Sequence, residues 1–569
     1  MRPTRTWLRE HWGAVGLVLC AVLMFLVVWP VGEFPLNDDW AYSRVVQHFV
    51  RTGKLVFFTG AYATQLFQVL WGSLFVWLFG FSHFVLRVST LVLAVAGALA
   101  VYALARELRA AEGLAALAGF VFLANPISTQ LSFSFMTDVP FGALYAIALW
   151  LYVRGLQRDD LRSLVLGGLA AGGALLTRQP GVLVPLGAAL SLLFLRRPWR
   201  RRLATAAAML AFPALAVAAD LAVSQAVPNH MGVGFALHMP IIGVSQLPER
   251  VFYDLAYAGL LTAPLGIALL SERPWPTGVP RWALLFGIGA AFGPGLILYS
   301  QQIAMPYLGN VISVHWSFGP GALSAGRRPV MLPAWVQAGL TALALLGAAA
   351  VVASFIGLAG RLRGRGTAPP QDEGRRDPGR AAALACVLII AGLQTIPLVA
   401  VDQHFDRYLL VLVPPAAAAL VAAIPREHGR RAAWFGLPAA ALLLAFGLAV
   451  TSDCHRWSAA RWAAAAAVEA AGVPADRIEG GYEWDGWHAP LPIRYDPLPT
   501  PEPRTAGWYW PRYVWWLFPH LRPPAYVISD SPLPGHDVIR AIPFSSAAGR
   551  DQLIYILRPV GGTIPTPDE

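Results

Sequence analysis

Two segments of the sequence place carboxylates where they could do proton chemistry. In the first, Asp38 and Tyr42 are four residues apart, so a helix that begins near Asp39 would carry both on one face. In the second, Asp138 directly precedes a long apolar run. Two carboxylates that converge could act as a general base toward a hydroxyl nucleophile or hold an acceptor in place.

Two other segments carry cations beside apolar runs. Arg178 and Gln179 form a turn between two short runs, and His404, Asp406 and Arg407 precede a later one. A guanidinium at such a place could bind a phosphate anion through charge-assisted hydrogen bonds. The alternatives are structural. Arg178 could pair with a loop carboxylate, and the adjacent Asp406 and Arg407 favour an ion pair with each other.

Helix capping is the alternative for the carboxylates. Asn37 or Asp38 could cap a helix that runs to Arg51 before Gly53. Asp138 could likewise cap a helix that begins at the next proline. Capping and chemistry are compatible, so both interpretations stay open.

A loop rich in aromatic residues and glycine, between residues 305 and 321, contains Tyr307. Aromatic rings in such a loop could line a sugar or acceptor pocket by stacking. An aromatic belt at a membrane interface would have the same composition.

The composition indicates which elements must position these residues. Of the 569 residues, 56% are apolar and only 13% are charged, and the mean hydropathy is +0.54. Soluble domains carry about 25% charged residues. The chain is therefore a polytopic membrane protein. Its net charge of +11 does not indicate nucleic-acid binding, because 24 of its 43 basic residues fall in clusters between alternate apolar runs.

These clusters predict the topology, since basic residues of short loops stay cytoplasmic. The N-terminus is then cytoplasmic, and Leu66–Phe79, too short to span, lies along or dips into the membrane surface. This pattern predicts about 13 transmembrane helices in all, at residues 12–31, 84–104, 112–126, 139–153, 163–176, 181–195, 204–224, 251–271, 281–300, 334–359, 382–401, 407–424 and 433–451.

The predicted spans divide the chain into two domains. Residues 1–451 are expected to form a transmembrane domain that carries the candidate site and whose first external loop, 33–83, contains interfacial helices. Residues 452–569 form a small extracytoplasmic α/β domain. It is expected to open with a helix over Trp457–Ala471, followed by β-like runs at Ile478–Trp484, Ala525–Ser529 and Leu553–Leu557.

The order and sidedness of the motifs resemble the GT-C superfamily of membrane glycosyltransferases. The nearest branch is the bacterial one related to lipid A aminoarabinose transferases and protein O-mannosyltransferases, similar to glycosyltransferase family 39. The resemblance depends on the Asp-Asp-x-x-Tyr motif after the first span, the Asp before Pro at the fourth, the arginine-containing turn, and Asp-Arg-Tyr-Leu-Leu at 406–410.

The resemblance implies a transferase that takes a sugar from a polyprenyl phosphate at the outer face of a bacterial cell membrane and inverts the anomeric centre. Asp38 would be the catalytic base. Asp39 would support it, or the two would hold a divalent cation such as Mg or Mn. Asp138 would orient the acceptor or Asp38, and Arg178 would hold the donor phosphate.

Other residues are expected to contact the substrates because of their positions on the outer side. They are Tyr42, Gln179, His404, Arg407 and Tyr307.

The chain departs from its relatives in two respects. The segment from Ala61 to Trp71 contains neither the lysine of aminoarabinose transferases nor the His-Pro-Pro signature of protein mannosyltransferases. The acceptor therefore stays open among lipid, cell-wall polysaccharide and protein hydroxyls. Two other functions remain alternatives: a transporter or flippase of a lipid-linked envelope precursor, and a non-catalytic assembly subunit.

Overall fold

The computed structural model describes residues 11–58, 63–195, 197–234, 240–317, 324–328, 330–363, 379–489, 522, 524–546 and 551–560. Within them the chain is mainly helical. The helices are α1 (Trp12–Val28), α2 (Asp39–Thr52), α3 (Leu66–Phe79), α4 (His83–Glu107), α5 (Glu112–Ala124), α6 (Pro126–Ser132), α7 (Asp138–Arg158), α8 (Leu161–Thr177), α9 (Leu183–Ser191), α10 (Trp199–Ala226), α11 (Leu247–Leu261), α12 (Ala263–Leu270), α13 (Arg281–Ser300), α14 (Ala334–Leu362), α15 (Arg380–Ala400), α16 (Val413–Ala423), α17 (Gly429–Ala470) and α18 (Tyr482–His488).

The helices confirm the multi-pass membrane architecture. In the described part of the chain, eight are long and apolar enough to cross a membrane, or up to ten spans if each of two bent pairs is one. Every predicted span coincides with a helix, three of them with shorter apolar helices. The basic residues in segments 1–10 and 364–378, which contributed to the topology prediction, lie outside the described residues.

Helix α2 follows the sequence prediction closely. It begins at Asp39 and ends at Thr52, where Gly53 has φ of 70°, a left-handed value that favours glycine. Asp38 occupies the N-cap position, but its side chain makes no capping hydrogen bond. The capping interpretation of Asp38 was therefore wrong, and its carboxylate is available for other contacts.

A bend between α5 and α6 brings the next loop toward α2. The two helices meet at 61°, because Pro126 cannot continue the hydrogen bonding of α5. The Asn125 side chain closes the corner. It accepts the N–H of Ser128 at 2.9 Å and donates to the carbonyl of Val121 at 3.0 Å. The chain then turns back and starts α7 at Asp138.

The segment Asp406–Leu412 is a 3-10 helix that leads into α16. Its first residue, Asp406, is fully buried and accepts backbone N–H groups from Val311 at 2.9 Å and Ile312 at 3.1 Å. Arg407 points elsewhere. The interpretation of these two neighbours as an ion pair was wrong, because Asp406 is used to fix the 305–317 loop.

The C-terminal domain contains a four-stranded sheet. Strands β1 (Ile312–Ser313) and β2 (Trp316–Ser317) form a separate short hairpin before α14. The strands of the C-terminal sheet are β3 (Ile478–Glu479), β4 (Tyr526–Ser529), β5 (His536–Ser545) and β6 (Asp551–Pro559). The sheet order is β3-β4-β6-β5, with β3 and β4 parallel and the other pairs antiparallel.

Three details of this domain differ from the sequence prediction. The expected helix Trp457–Ala471 is the end of the 42-residue helix α17, so the boundary near 451 falls inside a continuous helix. The expected run Ile478–Trp484 is a two-residue strand followed by α18. Strand β5 was not predicted.

Asp530 fastens the sheet to the membrane domain. Its carboxylate accepts the indole N–H of Trp457 at 2.7 Å, the hydroxyl of Ser324 at 2.5 Å and Arg328 Nε at 3.2 Å. These partners come from α17 and from the loop after the β1–β2 hairpin. Three partly buried bonds to one carboxylate hold the sheet against α17 and this loop.

Candidate active site

Asp38 lies at the centre of the candidate site. One of its oxygens, Oδ2, is 3.0 Å from Arg407 Nη2, and the other, Oδ1, accepts the hydroxyl of Tyr482 at 2.8 Å. About a fifth of the Asp38 side chain is exposed. The carboxylate is therefore held by two partners from distant parts of the chain and is still accessible.

Asp138 pairs with Arg178. The guanidinium Nη1 contacts Asp138 Oδ1 and donates to the hydroxyl of Thr137 at 3.4 Å. The ion-pair alternative for Arg178 is thus correct, while the capping alternative for Asp138 is wrong because α7 begins at Asp138 itself. Burial is the largest single influence and opposes the charged form of Arg178, but Asp138, Tyr408 and Tyr42 together outweigh it, and the pKa of Arg178 is raised. Asp138 Oδ2 is buried without a hydrogen-bond partner among the described residues.

Two tyrosines connect the ion pairs. Burial and then the charge of Asp38 raise the pKa of Tyr42, on which Arg178, Arg407 and Asp138 also act electrostatically. Tyr42 therefore stays a neutral hydroxyl among four charges. The ring of Tyr408 lies 4.3 Å from the Arg178 guanidinium carbon and 5.4 Å from that of Arg407. A shared aromatic ring helps to hold two like charges near each other.

A cavity of about 150 Å³ opens beside these arginines. Its polar part includes Asp138, Arg178 and Arg407, and the rest is mostly apolar. The described lining residues are Asp138, Phe141, Arg178, Gln179, Pro180, Gln394, Pro397, Leu398, Val401, Gln403, Arg407, Tyr408 and Val411. Arg407 both lines the cavity and contacts Asp38, so it joins the two parts of the site. The Nε and Nη1 atoms of Arg407 are buried without a partner among the described residues.

Part of this site lies in a segment that matches the sequence profile of a known protein family. Residues 69–219 match the profile described as dolichyl-phosphate-mannose-protein mannosyltransferase. The predicted resemblance to GT-C glycosyltransferases is confirmed. The matched segment is well under half of the chain and contains Asp138 and Arg178 but neither Asp38 nor Arg407. No curated protein sequence matches the chain.

Three solved structures are similar at low identity. The S. cerevisiae protein O-mannosyltransferase Pmt1-Pmt2 complex bound to the sugar donor is 15% identical, with a TM-score of 0.33, over 38% of this chain and 34% of that one. The Archaeoglobus fulgidus oligosaccharyltransferase with Zn and sulfate is 14% identical, with a TM-score of 0.43, over 79% and 55%. ArnT from Cupriavidus metallidurans bound to undecaprenyl phosphate is 15% identical, with a TM-score of 0.41, over 96% and 98%. This chain spans only about a third of the yeast chain.

Asp39 has different surroundings from its neighbour. It is almost fully buried, and its oxygens accept the N–H groups of Leu36 at 2.5 Å and Phe135 at 3.1 Å. Burial raises the pKa of Asp39 to about 7, although Arg87 and both N–H donors act in the opposite direction. Asp39 therefore ties the start of α2 to the loop before α7, and by this geometry it positions Asp38 and Asp138.

We expect Asp39→Asn to destabilise the protein rather than to change its chemistry selectively. One of two buried N–H groups would face an amide donor, and leaving it unsatisfied costs about 1–3 kcal/mol. Thermal unfolding in detergent measures this loss, with Asp537→Asn, the same substitution at an exposed position, as the control that should keep its unfolding temperature. A stable but inactive Asp39→Asn protein would instead give Asp39 a direct role in catalysis.

The Asp38 and Asp39 side chains do not fit a divalent cation in this arrangement. Both Asp39 oxygens accept backbone N–H groups, and the Arg407 guanidinium beside Asp38 would repel a cation. Among the described residues, no group of three or more His, Cys, Asp or Glu side chains could hold a metal ion. This geometry gives no support to the predicted use of Mg or Mn by the two aspartates, which stays untested, and the mechanism below uses neither cation.

Of the predicted contact residues Gln179, His404 and Tyr307, Gln179 alone is among the described residues that line the cavity. Gln179 lines it and donates to the carbonyl of Met231 at 2.7 Å. His404 lies outside the described lining residues and contacts Asp254 at 2.7 Å. Tyr307 also lies outside them, stacked on another tyrosine ring at 5.1 Å. Substrate contacts by His404 and Tyr307 stay predictions.

Two residues near the site were not predicted to belong to it, although each is a polar or charged residue inside a predicted span. Arg87 is buried in α4 and donates to the carbonyls of Pro30 at 2.9 Å and Gly32 at 3.0 Å, which shapes the loop before Asp38. Gln394 lines the cavity from α15 and donates to the carbonyl of Pro180 at 3.0 Å. A charged or polar side chain inside an apolar span is a functional candidate by itself.

A carboxyl pair connects α18, the helix that carries Tyr482, with strand β3. Glu479 and Asp485 are both buried and interact, and none of their four carboxylate oxygens has a hydrogen-bond donor among the described residues, so a proton held between the two groups relieves their repulsion. Burial raises the pKa of both groups, the charge of Glu479 raises that of Asp485 further, and Arg461 acts in the opposite direction. The proton on the pair is thus part of how α18 is held in place.

We expect α18 to loosen as the pH rises. Carboxyl groups whose pKa is raised on folding stabilise the folded form below about pH 4 and lose that contribution as the pH rises through the raised values. Asp485→Asn keeps a donor toward Glu479 at every pH. Hydrogen exchange of residues 478–489, compared with wild type at the same pH, should be similar at pH 5 and slower in the variant at pH 8. Equal exchange at both pH values would contradict a shared proton, and Asp537→Asn, at an exposed site, is the control.

Proposed function

We propose that the protein is an inverting glycosyltransferase that moves a sugar from a polyprenyl-phosphate donor to the hydroxyl of a lipid, cell-wall glycan or protein acceptor. The observation that carries the proposal is the cavity, which has two guanidinium groups at its polar part and apolar walls, and which meets Asp38 through Arg407. A phosphate attached to a long hydrocarbon chain needs both kinds of surface.

The donor phosphate would lie between Arg178 and Arg407. Their positive charges face the same cavity, and the Nε and Nη1 nitrogens of Arg407, which have no partner among the described residues, can donate to phosphate oxygens. The polyprenyl chain would follow the apolar part of the lining, which includes Phe141, Leu398 and Val411. The sugar, attached to the phosphate, then lies on the Asp38 side of Arg407.

Asp38 would act as the general base. Its carboxylate takes the proton of the acceptor hydroxyl while that oxygen attacks the anomeric carbon of the sugar. The bond between the anomeric carbon and the phosphate oxygen breaks, and its electron pair leaves with the lipid phosphate. Arg178 and Arg407 stabilise the charge that develops on this leaving group. A single displacement from the opposite face inverts the anomeric centre.

Asp138 would have two tasks. Its Oδ1 holds the Arg178 guanidinium in the cavity, and its buried Oδ2 can accept a hydrogen bond from a hydroxyl of the sugar or the acceptor. Tyr42 would donate its neutral hydroxyl among the same groups. Asp39, by contrast, would support this arrangement through the backbone.

The reaction would take place at the outer face of a bacterial cell membrane. The clusters of arginine between alternate spans support a cytoplasmic N-terminus, which places Asp38, Asp138 and the C-terminal domain on the other side. A polyprenyl-phosphate sugar carries its sugar on that side after translocation, where envelope acceptors lie.

The test is an assay of the purified protein in detergent with a radiolabelled polyprenyl-phosphate sugar. We expect release of water-soluble label or its transfer to an added acceptor extract, at a rate well above that of a boiled sample. In micelles a flippase has no second side to deliver to, so intact donor after long incubation would favour the transporter or the assembly subunit. Comparison of lipid, glycan and protein fractions as acceptors then identifies the acceptor class.

A further inference from the structure

The C-terminal domain reaches the centre of the site through one side chain. Tyr482, the first residue of α18, donates its hydroxyl to Asp38 Oδ1 at 2.8 Å, while Arg407 holds Oδ2 from the other side at 3.0 Å. The two contacts fix the plane of the carboxylate. Nothing in the sequence near residue 482 marks it as part of the site.

The chemistry of Tyr482 suits it to this contact. Burial and then the charge of Asp38 raise the pKa of Tyr482, so its hydroxyl keeps the proton that it donates. Each carboxylate oxygen has two lone pairs. With one bond from Tyr482 and one from Arg407, Asp38 keeps a free lone pair on each oxygen, enough to accept the proton of an acceptor hydroxyl.

The position of Tyr482 is fixed by the rest of α18. Glu483 pairs with Arg461 of α17 at 2.5 Å and accepts the N–H of Asn37 at 2.9 Å. Gly486 packs directly on the ring of Trp40, where a Cβ atom would come within 2.4 Å of the ring. These contacts bind α18 to the residues on both sides of Asp38.

We propose that the C-terminal domain completes the active site, with Tyr482 as a positioning residue that orients the Asp38 carboxylate for proton transfer. The inference rests on the proposed function, since it gives Tyr482 a role only if Asp38 is the base. Tyr482 acts through Asp38 and lies outside the described residues that line the cavity. Its loss should therefore affect turnover and not donor binding.

The decisive variant is Tyr482→Phe. It keeps the edge contact of the ring with Trp40, at 5.8 Å between centroids, and removes only the hydroxyl. Because hydrogen bonds to charged groups are strong, we expect kcat to fall about tenfold to a hundredfold while the KM for the donor stays unchanged. In an Asp38→Asn background the same change should cause no further loss. Tyr526→Phe, the same substitution on β4, is the matched control and should keep full activity.

A spectroscopic measurement separates this inference from the proposed function. The carboxylate bands of Asp38, isolated as the infrared difference between wild type and Asp38→Asn, should shift in Tyr482→Phe without any donor present. A protein that shows the shift but transfers no sugar would overturn the function and keep the contact. Wild-type kcat in Tyr482→Phe, or a raised KM with a lower unfolding temperature, would overturn the positioning role.

Discussion

Asp38→Asn is expected to reduce sugar transfer by about a hundredfold to ten-thousandfold, the usual contribution of a general base. Asparagine has the same shape, and its single amide oxygen can accept from Arg407 while its NH2 group donates to the hydroxyl oxygen of Tyr482, but it cannot take the acceptor proton. The measurement is the initial rate of label transfer from the polyprenyl-phosphate donor, divided by the amount of folded protein.

Two results decide how this loss is interpreted. Asp537→Asn, which changes an exposed carboxylate of the C-terminal domain, should transfer sugar at the wild-type rate. Equal donor binding by wild type and Asp38→Asn would locate the defect in the chemical step. Turnover by Asp38→Asn at the wild-type rate would remove Asp38 as the base.

Arg407→Met is expected to lower kcat/KM for the donor by about a hundredfold to a thousandfold, as is typical when one electrostatic contact to a transition state is removed. Methionine retains much of the bulk but neither the charge nor the donors. Since Arg407 lines the cavity and also contacts Asp38, both KM and kcat should change. Steady-state kinetics over a range of donor concentrations separates the two effects.

The matched control for Arg407 is Arg51→Met, at an exposed position at the end of α2, which should leave both constants unchanged. Unchanged kcat and KM in Arg407→Met would contradict contact between Arg407 and the phosphate. A lower kcat with a wild-type KM would restrict Arg407 to the chemical step, where it holds Asp38 or stabilises the leaving phosphate.

Much of the architecture could be predicted because a membrane restricts the backbone structures that can cross it. Within the bilayer every backbone polar group must be satisfied inside its own segment, so long apolar runs become helices. Local breakers gave the ends of α2 correctly, at Gly53 above all. The last span was different. No glycine or proline follows Val450 until Gly472, so α17 continues well past the change in composition that suggested a boundary.

In the site, several charges that were predicted to lie at one membrane surface come together, while some of their contacts were not predicted. Asp138 pairs with Arg178, and both act with Asp38 on Tyr42, but the catalytic roles of these residues stay predictions. Adjacency in the sequence gave the wrong partner for Arg407, because consecutive residues of a 3-10 helix point in different directions. The contact with Tyr482 could not be predicted, since it depends on how a sheet domain packs against a membrane helix.

The hydrogen bond between Tyr482 and Asp38 joins residues 444 positions apart. A ribosome adds about 5–20 residues each second, so at least about twenty seconds separate the synthesis of the two side chains. Throughout that interval the nascent chain holds Asp38 without its tyrosine, and for most of it without Arg407. The carboxylate can reach its final orientation only after α18 has been synthesised and has folded against it.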